Sequence, residues 1–202
     1  MRLFEDIKFT DEQLQPTVDW CKSNTEFSPV ITKFNKQKQW TAISIRGYAD
    51  DMKQIGKGGV LGTTELSNLQ NTPLYDELEM DKILDEIPAE KERVRLMKLR
   101  AGTKIAKHTD KVDKDIKSGK IIRLHIPVVT NENVVMKSWL KGGIAEFRMA
   151  KGECWWLDVS LPHQVDNNSD EFHINKVFEW ANNNLKVEDE EFEFNPNKSI
   201  EI

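Results

Sequence analysis

The chain has 202 residues, with 29 Lys and Arg against 34 Asp and Glu and a formal net charge of -5. This length is enough for one domain with a full core, so we expect a single domain over residues 1–202. The basic residues are scattered, which argues against nucleic acid as a partner. No stretch has the apolar length of a membrane span or the core of a signal peptide. The two cysteines suggest no disulfide framework, so we expect a cytoplasmic protein with no membrane partner. The oligomeric state cannot be read from the sequence.

Residues 1–90 have the mixed pattern of a flanking α/β region. Thr10 and Gln13 have the spacing of a capping box, which predicts a helix over residues 11–23. Residues 40–46 (WTAISIR) alternate as a β-strand does, and residues 54–62 are rich in glycine and predict a loop. Thr72 and Pro73 predict a helix start, and Pro88 its end. The core face of that helix would carry Leu74, Leu78, Leu84 and Ile87.

The segment from residue 93 to residue 180 has the pattern of short strands separated by turns. The strand candidates are residues 93–100, 121–128, 133–137, 145–149, 153–159 and 172–180. Turn residues lie between them, including Asp166 to Ser169. This spacing predicts a mainly β fold with flanking α-helices, a jelly roll of the cupin type with the N-terminal helices packed on it. The acidic tail, residues 186–202, follows as a late strand, a capping segment or a partly disordered end.

Two histidines and one carboxylate are the candidate metal ligands. His108 and Asp110 alternate in an extended segment and so point to the same side, and His163 follows several predicted strands later. A set of two imidazoles and one carboxylate is typical of non-haem Fe(II) oxygenases, in which it leaves coordination positions open for substrate and oxygen. By itself the pattern is weak, because His-x-Asp followed by another histidine occurs by chance in many proteins.

The surrounding motifs resemble those of the aspartyl/asparaginyl β-hydroxylases, a family of Fe(II)/2-oxoglutarate oxygenases. Residues 95–110 (RLMKLRAGTKIAKHTD) resemble the segment that carries the first metal ligands of that family. Residues 123–131 (RLHIPVVTN) resemble its R-x-H-x-P strand, and residues 151–158 (KGECWWLD) its glycine-glutamate-aromatic strand. Residues 162–169 (PHQVDNNS) resemble the segment of the second histidine. The four matches occur in the same order as in the family.

The resemblance implies a double-stranded β-helix fold and a hydroxylase activity. It implies that His108, Asp110 and His163 bind Fe(II), and that 2-oxoglutarate and O2 are consumed to give succinate, carbon dioxide and a hydroxylated substrate. The substrates of the family include both peptide side chains and free amino acids. A compact chain without a peptide-docking repeat slightly favours a small amino-acid-like molecule over a peptide side chain.

One position departs from the family pattern. The strand after the second histidine usually begins with an arginine that binds the distal carboxylate of 2-oxoglutarate, and this chain has His173 there. An imidazole cannot form the paired charged hydrogen bonds of a guanidinium. Either His173 makes a weaker contact, or Arg123 and Lys176 replace the arginine, or the cosubstrate is not 2-oxoglutarate. We expect Arg123 to anchor the cosubstrate with help from His173, and His125 and Asn175 to complete the pocket wall. Lys176 should point to the other face of its strand.

Two alternatives from other classes remain open. The same three ligands could hold zinc in a cupin-shaped hydrolase or isomerase, although no general base is evident beside them. The chain could also be a non-catalytic binding module that has lost its dependence on 2-oxoglutarate, for which His173 is the best argument.

Overall fold

The computed structural model describes residues 1–56, 69–87, 91–110 and 121–181. Parts of the predicted loop over residues 54–62 and the whole acidic tail, residues 186–202, lie outside these ranges. Described elements near the N-terminus are β1 (Arg2–Lys8), α1 (Asp11–Ser23), β2 (Ser28–Pro29), β3 (Trp40–Gly47), β4 (Gln70–Asn71), α2 (Pro73–Glu77) and α3 (Asp81–Leu84). The strands that follow are β5 (Lys91–Leu99), β6 (Lys104–His108), β7 (Ile121–Val129), β8 (Val134–Leu140), β9 (Gly143–Phe147), β10 (Glu153–Trp156), β11 (His163–Asn167) and β12 (His173–Ala181).

The first helix begins and ends as the sequence predicts. The Thr10 side chain accepts a hydrogen bond from the Gln13 backbone, and the Gln13 side chain accepts one from the Thr10 backbone, so both halves of the capping box are present. Leu14, Val18 and Cys21 form its buried face. Helix α1 therefore packs on the sheet through the side that its spacing indicated.

The single helix predicted from Thr72 to Pro88 is wrong, since two short helices, α2 and α3, occupy this region. The chain turns between them at Glu79, whose φ is +50°. Leu78 and Met80 are both fully buried, and in one continuous helix residues two positions apart would point to nearly opposite sides. The break lets both reach the core. The four predicted core residues of this segment are nevertheless buried.

Two antiparallel sheets form the body of the fold. The larger sheet has the strand order β1-β10-β7-β12-β5-β3-β2, with β4 paired to β3, and the smaller sheet has the order β6-β11-β8-β9. From β5 to β12, successive strands lie alternately in the larger and the smaller sheet, except that β8 and β9 are consecutive strands of the smaller sheet. This arrangement is that of a double-stranded β-helix. The predicted mainly β, cupin-like jelly roll is confirmed.

The strand predictions are confirmed in position and differ at their ends. The six predicted strands correspond to β5, β7, β8, β9, β10 and β12. Strands β1, β2, β4, β6 and β11 have no counterpart in the predicted set. The predicted turn at Asp166 to Ser169 begins too early, because Asp166 and Asn167 belong to β11, where they pair with Val135 and Val134.

The hydrophobic core lies on both faces of the larger sheet. One cluster packs the sheet against the helices and includes Leu14, Leu74, Leu96 and Leu124, all fully buried. A second cluster lies around Met136, Phe147 and Trp155. The adjacent Trp155 and Trp156 therefore serve different clusters, as their opposite orientation along a strand predicts.

Gly152 joins the N-terminal segment to the jelly roll. Its φ is +81°, and a Cβ at this position would lie 2.2 Å from the carbonyl oxygen of Phe9. The Phe9 amide donates to the Gly152 carbonyl at 2.9 Å, so the two backbones run in direct contact. Only glycine combines this backbone conformation with so close an approach.

Cys21 and Cys154 are buried free thiols, as expected from their dissimilar contexts. Of the helices in the described ranges, none combines the length and apolar character needed to cross a bilayer.

Candidate metal centre

The three predicted metal ligands meet where two neighbouring strands of the smaller sheet come together. His108 is the last residue of β6, His163 is the first residue of β11, and the two residues are paired across the strands. Asp110 lies two residues beyond β6, and its amide donates to the Val159 carbonyl at 2.9 Å. One ligand atom from each of the three side chains lies within 4.8 Å of the others. These distances allow all three side chains to bind one ion.

The hydrogen bonds of both histidines leave the same ring nitrogen for a metal. Nδ1 of His108 lies 2.8 Å from the Ala106 carbonyl oxygen, and Nδ1 of His163 lies 2.9 Å from the Leu161 carbonyl oxygen. Because a carbonyl only accepts, Nδ1 must carry the proton in each ring, and Nε2 keeps its lone pair. Burial lowers the pKa of His163, which favours the neutral imidazole that metals bind.

Asp110 has its two carboxylate oxygens in different surroundings. Oδ2 accepts a hydrogen bond from the Arg123 guanidinium, in an ion pair that is largely shielded from solvent. Oδ1 lies 3.6 Å from Nε2 of His108. Arg123 therefore holds one oxygen and leaves Oδ1 directed toward the imidazoles, as a carboxylate binding a metal through one oxygen requires.

The pocket beside these residues lies between the two sheets. Its polar lining residues are His108, Asp110, Arg123, His125, His163 and His173. The remaining lining residues are apolar, and they come from both sheets, such as Met97 and Leu99 of β5 and Ile105 of β6. The site thus has a polar centre around the candidate ligands and mostly apolar walls.

Arg123, His125 and His173 all line this pocket, at different places. Arg123 contacts Asp110 and so lies next to the candidate metal ligands. His125 is buried, and desolvation together with the charge of Arg123 keeps its pKa well below the usual range. His173 is also buried, and desolvation lowers its pKa to about 4. Burial therefore favours the neutral form of both imidazoles.

Asn175 and Lys176 both lie on β12, and the structure describes the side chain of Lys176 only. Asn175 pairs through its backbone with Met97 and Pro127, whereas its side chain lies outside the described part of the structure. Lys176 is fully buried on the opposite side of β12, beside Met80, and does not line the pocket, as its strand position predicts.

Two aromatic side chains, Phe34 and Trp40, cover His108, and no motif in the sequence predicted this contact. The Phe34 ring stacks on the His108 imidazole with centroids 5.0 Å apart, and the Trp40 ring lies 6.2 Å away. Trp40 also lines the pocket. Phe34 belongs to the connection between β2 and β3, for which no strand or helix pattern exists. The local sequence signal for this cover is the alternating pattern of residues 40–46, which places Trp40 at the start of a strand.

Asp158 forms a turn in this structure. Its Oδ1 accepts from the Ser160 amide at 3.0 Å and from the Ser160 hydroxyl at 2.6 Å. Its carbonyl accepts from the Leu161 amide at 3.2 Å, just before His163. Of the two roles considered for Asp158, a turn or a partner of a ligand, these contacts favour the turn.

Comparison with solved structures identifies similar folds at low sequence identity. A 2OG-Fe(II) oxygenase family oxidoreductase from Burkholderia pseudomallei has 13% identity and a TM-score of 0.56, covering 86% of this chain and 79% of that one. A prolyl-4-hydroxylase from Pseudomonas putida has 14% identity and a TM-score of 0.52, covering 86% and 88%. At these identities the similarity is one of fold. The search of curated proteins found no match.

A family-level comparison of the sequence covers most of the chain. The sequence model described as "Aspartyl/Asparaginyl beta-hydroxylase" matches residues 12–192. This range contains every candidate ligand and pocket residue discussed above. The motifs around His108, Arg123, Gly152 and His163 lie on the strands and turns that form the pocket. The chain belongs to the aspartyl/asparaginyl β-hydroxylase family.

Proposed function

We propose that this protein is an Fe(II)- and 2-oxoglutarate-dependent dioxygenase that hydroxylates a C–H bond of an amino acid or an amino-acid-like substrate. The observation that carries the proposal is the convergence of one ligand atom each from His108, Asp110 and His163 within 4.8 Å. The Nδ1 hydrogen bonds of the two histidines support it, because they leave Nε2 of each ring unprotonated and able to bind a metal.

These donors fit iron better than they fit a structural zinc site. Imidazole and carboxylate ligands in a two-to-one ratio suit Fe(II), and three protein ligands leave other positions free. Bound there, Fe(II) would supply the activation of O2, with one oxygen atom passing to the carboxylate of succinate and the other to the substrate hydroxyl. The described residues offer no thiolate to this site, since both cysteines lie elsewhere in the fold.

Arg123 has the main role in binding the cosubstrate. Its contact with Asp110 puts a permanent positive charge beside the metal ligands, where the carboxylate of a chelating 2-oxo acid would lie. We therefore revise the expectation that Arg123 anchors the distal carboxylate, and assign it to the carboxylate next to the oxo group. His125, His173 and Asn175 remain the predicted wall of the pocket.

The protein surrounds the reacting groups with apolar side chains. Phe34 and Trp40 cover His108, and the described walls of the pocket are mostly apolar, so water is restricted around the substrate carbon. Exclusion of water strengthens the charged contacts inside and protects reactive species from side reactions. A small molecule or a single side chain fits such a pocket, and neither nucleic acid nor a membrane is needed as a partner.

The decisive experiment combines metal binding with turnover. Anaerobic addition of Fe(II) and 2-oxoglutarate should produce the visible charge-transfer absorption of a chelated complex, and addition of O2 should release succinate. Asp110→Ala should lose both signals, whereas Asp19→Ala should keep them, because Asp19 is an exposed aspartate of α1. Circular dichroism would establish that both variants are folded.

The outcome also separates the alternatives. Tight binding of zinc without succinate formation would favour a hydrolase or a binding module and contradict the proposal. A panel of amino acids and related acids that stimulate succinate release, followed by mass spectrometry of the added oxygen, would identify the substrate.

A further inference from the structure

The pocket around His173 is formed by a row of side chains on three adjacent strands. His173 of β12 pairs with Leu99 of β5, and Leu99 pairs on its other side with Trp40 of β3. All three residues line the pocket, as does Met97, two positions from Leu99 on the same face of β5. Among the described lining residues, a ligand group that lies beside His173 therefore meets the apolar side chains of this row, with His125 of β7 as a polar neighbour.

The described lining of the pocket contains one permanent cation. This is Arg123, and its guanidinium already forms an ion pair with Asp110. Arg95 lies on β5 but does not line the pocket, and its Nη1 lies 3.4 Å from the carbonyl oxygen of Ile55, to which it donates. Among the described residues that line the pocket, the permanent positive charge is consequently at Arg123, beside the candidate metal ligands, whereas the charge of Arg95 acts on His125 from outside the lining.

His173 is suited to a neutral contact. It is 3% exposed, its ring lies within reach of the Val129 backbone, and no group in the described ranges forms a well-aligned hydrogen bond with its Nδ1. Burial lowers its pKa to about 4, so a protonated His173 would be rare at neutral pH. A neutral imidazole can donate or accept one ordinary hydrogen bond, but it cannot compensate a carboxylate for the loss of its hydration.

We propose that the His173 end of the pocket receives an uncharged group, so that this protein binds 2-oxo acids with apolar tails at least as tightly as 2-oxoglutarate. The inference rests on the proposed function, because it takes the oxo acid to chelate the metal at His108, Asp110 and His163. It concerns the tail of that acid only. The stoichiometry is unchanged: O2 and the 2-oxo acid give carbon dioxide and an acid one carbon shorter, and the second oxygen atom enters the substrate.

The test compares two acids of similar size. In 5-methyl-2-oxohexanoate, two methyl groups replace the two distal carboxylate oxygens of 2-oxoglutarate, the carbon that carries them becomes a tetrahedral CH, and carbons 1 to 4 are unchanged. Binding of each to the zinc-loaded chain is measured by calorimetry, a readout that needs no turnover. We expect the dissociation constant of the neutral-tailed acid to be equal to or lower than that of 2-oxoglutarate. A lower dissociation constant for 2-oxoglutarate would overturn the proposal.

Substitutions at His173 test whether this residue sets the preference. His173→Arg should shift the ratio of affinities toward 2-oxoglutarate by about tenfold or more, since a guanidinium forms paired charged bonds with a carboxylate. His173→Gln is the matched control, because it keeps a neutral polar group and should leave the ratio unchanged. If His173→Arg folds and the ratio does not move, His173 does not contact the tail and the proposal is wrong.

Two further results distinguish failure of this inference from failure of the proposed function. If wild-type protein prefers 2-oxoglutarate and Arg95→Met abolishes this preference, Arg95 is the distal anchor, and the inference fails while the proposed function stands. If neither acid binds the metal-loaded chain, the proposed function fails with it. Should His173→Arg not fold, the comparison of the two acids on wild-type protein still decides the question.

Discussion

Replacing Lys176 by methionine should make this protein more stable at neutral pH. Lys176 is fully buried between the larger sheet and the helices, and its Nζ lies 3.6 Å from the Met80 sulfur. A thioether is a weak acceptor, and within the described residues no carboxylate forms an ion pair with this amine. Burial lowers the pKa of Lys176 from 10.5 to about 7. Methionine has a similar length and needs no hydration.

The size of the effect follows from proton linkage. Between pH 7 and pH 10.5 the unfolded chain keeps a proton that folded Lys176 gives up, so the free energy of unfolding rises with pH over this window. The penalty is complete below the folded pKa and disappears above the unfolded pKa. A shift of this size corresponds to a penalty of about 5 kcal/mol at pH 6, about 3 kcal/mol at pH 8 and about 1 kcal/mol at pH 10. Lys176→Met should raise stability by these amounts at most, because buried lysines relax toward water.

Urea unfolding of both proteins at pH 6, 8 and 10 measures this difference, and the contributions of other titrating groups cancel in the comparison. Lys104→Met is the matched control, because Lys104 also lies on a strand but is exposed. It should change stability little at any of the three pH values. The reasoning is refuted if Lys176→Met is less stable than the wild type at pH 6, or if its advantage does not shrink as the pH rises.

Three other substitutions test the fold and the site. Gly152→Ala should destabilise the chain by roughly 2 kcal/mol or more in urea, because the new Cβ would collide with the Phe9 carbonyl, whereas Gly56→Ala, with nothing within 4 Å, should cost about 1 kcal/mol or less. An equal loss for the two would contradict this reading. Asn167→Ala should cost about 1–3 kcal/mol, since the buried amide donates to the Arg100 and Glu171 carbonyls, and unchanged thermal unfolding would argue against that role. Arg123→Met should weaken binding of any 2-oxo acid to the zinc-loaded chain by about tenfold or more, and calorimetry showing full affinity would remove Arg123 from the site.

Most strands and the first helix could be predicted because they depend on local patterns. Thr10 and Gln13 determine the start of α1 through contacts three residues apart, and the alternation around Trp40 indicates β3. The break at Glu79 could not be read in this way. It depends on Leu78 and Met80 both reaching one core, which is a property of the neighbouring sheet rather than of the helix spacing.

The candidate ligands could also be identified before the fold was known. His108, Asp110 and His163 stand out by residue type and by their flanking motifs, and the fold brings their ligand atoms within 4.8 Å. Strands β6 and β11, which carry the two histidines to this place, were missed because each has only five residues and lacks a clear alternation. Their pairing comes from long-range backbone hydrogen bonds.

The sequence by itself determined the family, the jelly-roll class and the residue types of the candidate metal centre, since each of these follows from motifs and short-range patterns. Only the tertiary structure decided that Arg123 pairs with Asp110, that Leu99 lies between His173 and Trp40, and that Lys176 is fully buried beside the Met80 sulfur. The physical reason is that charge pairing and desolvation depend on which groups surround a side chain in space. Those groups come from strands far apart in the sequence, so no local pattern reports them.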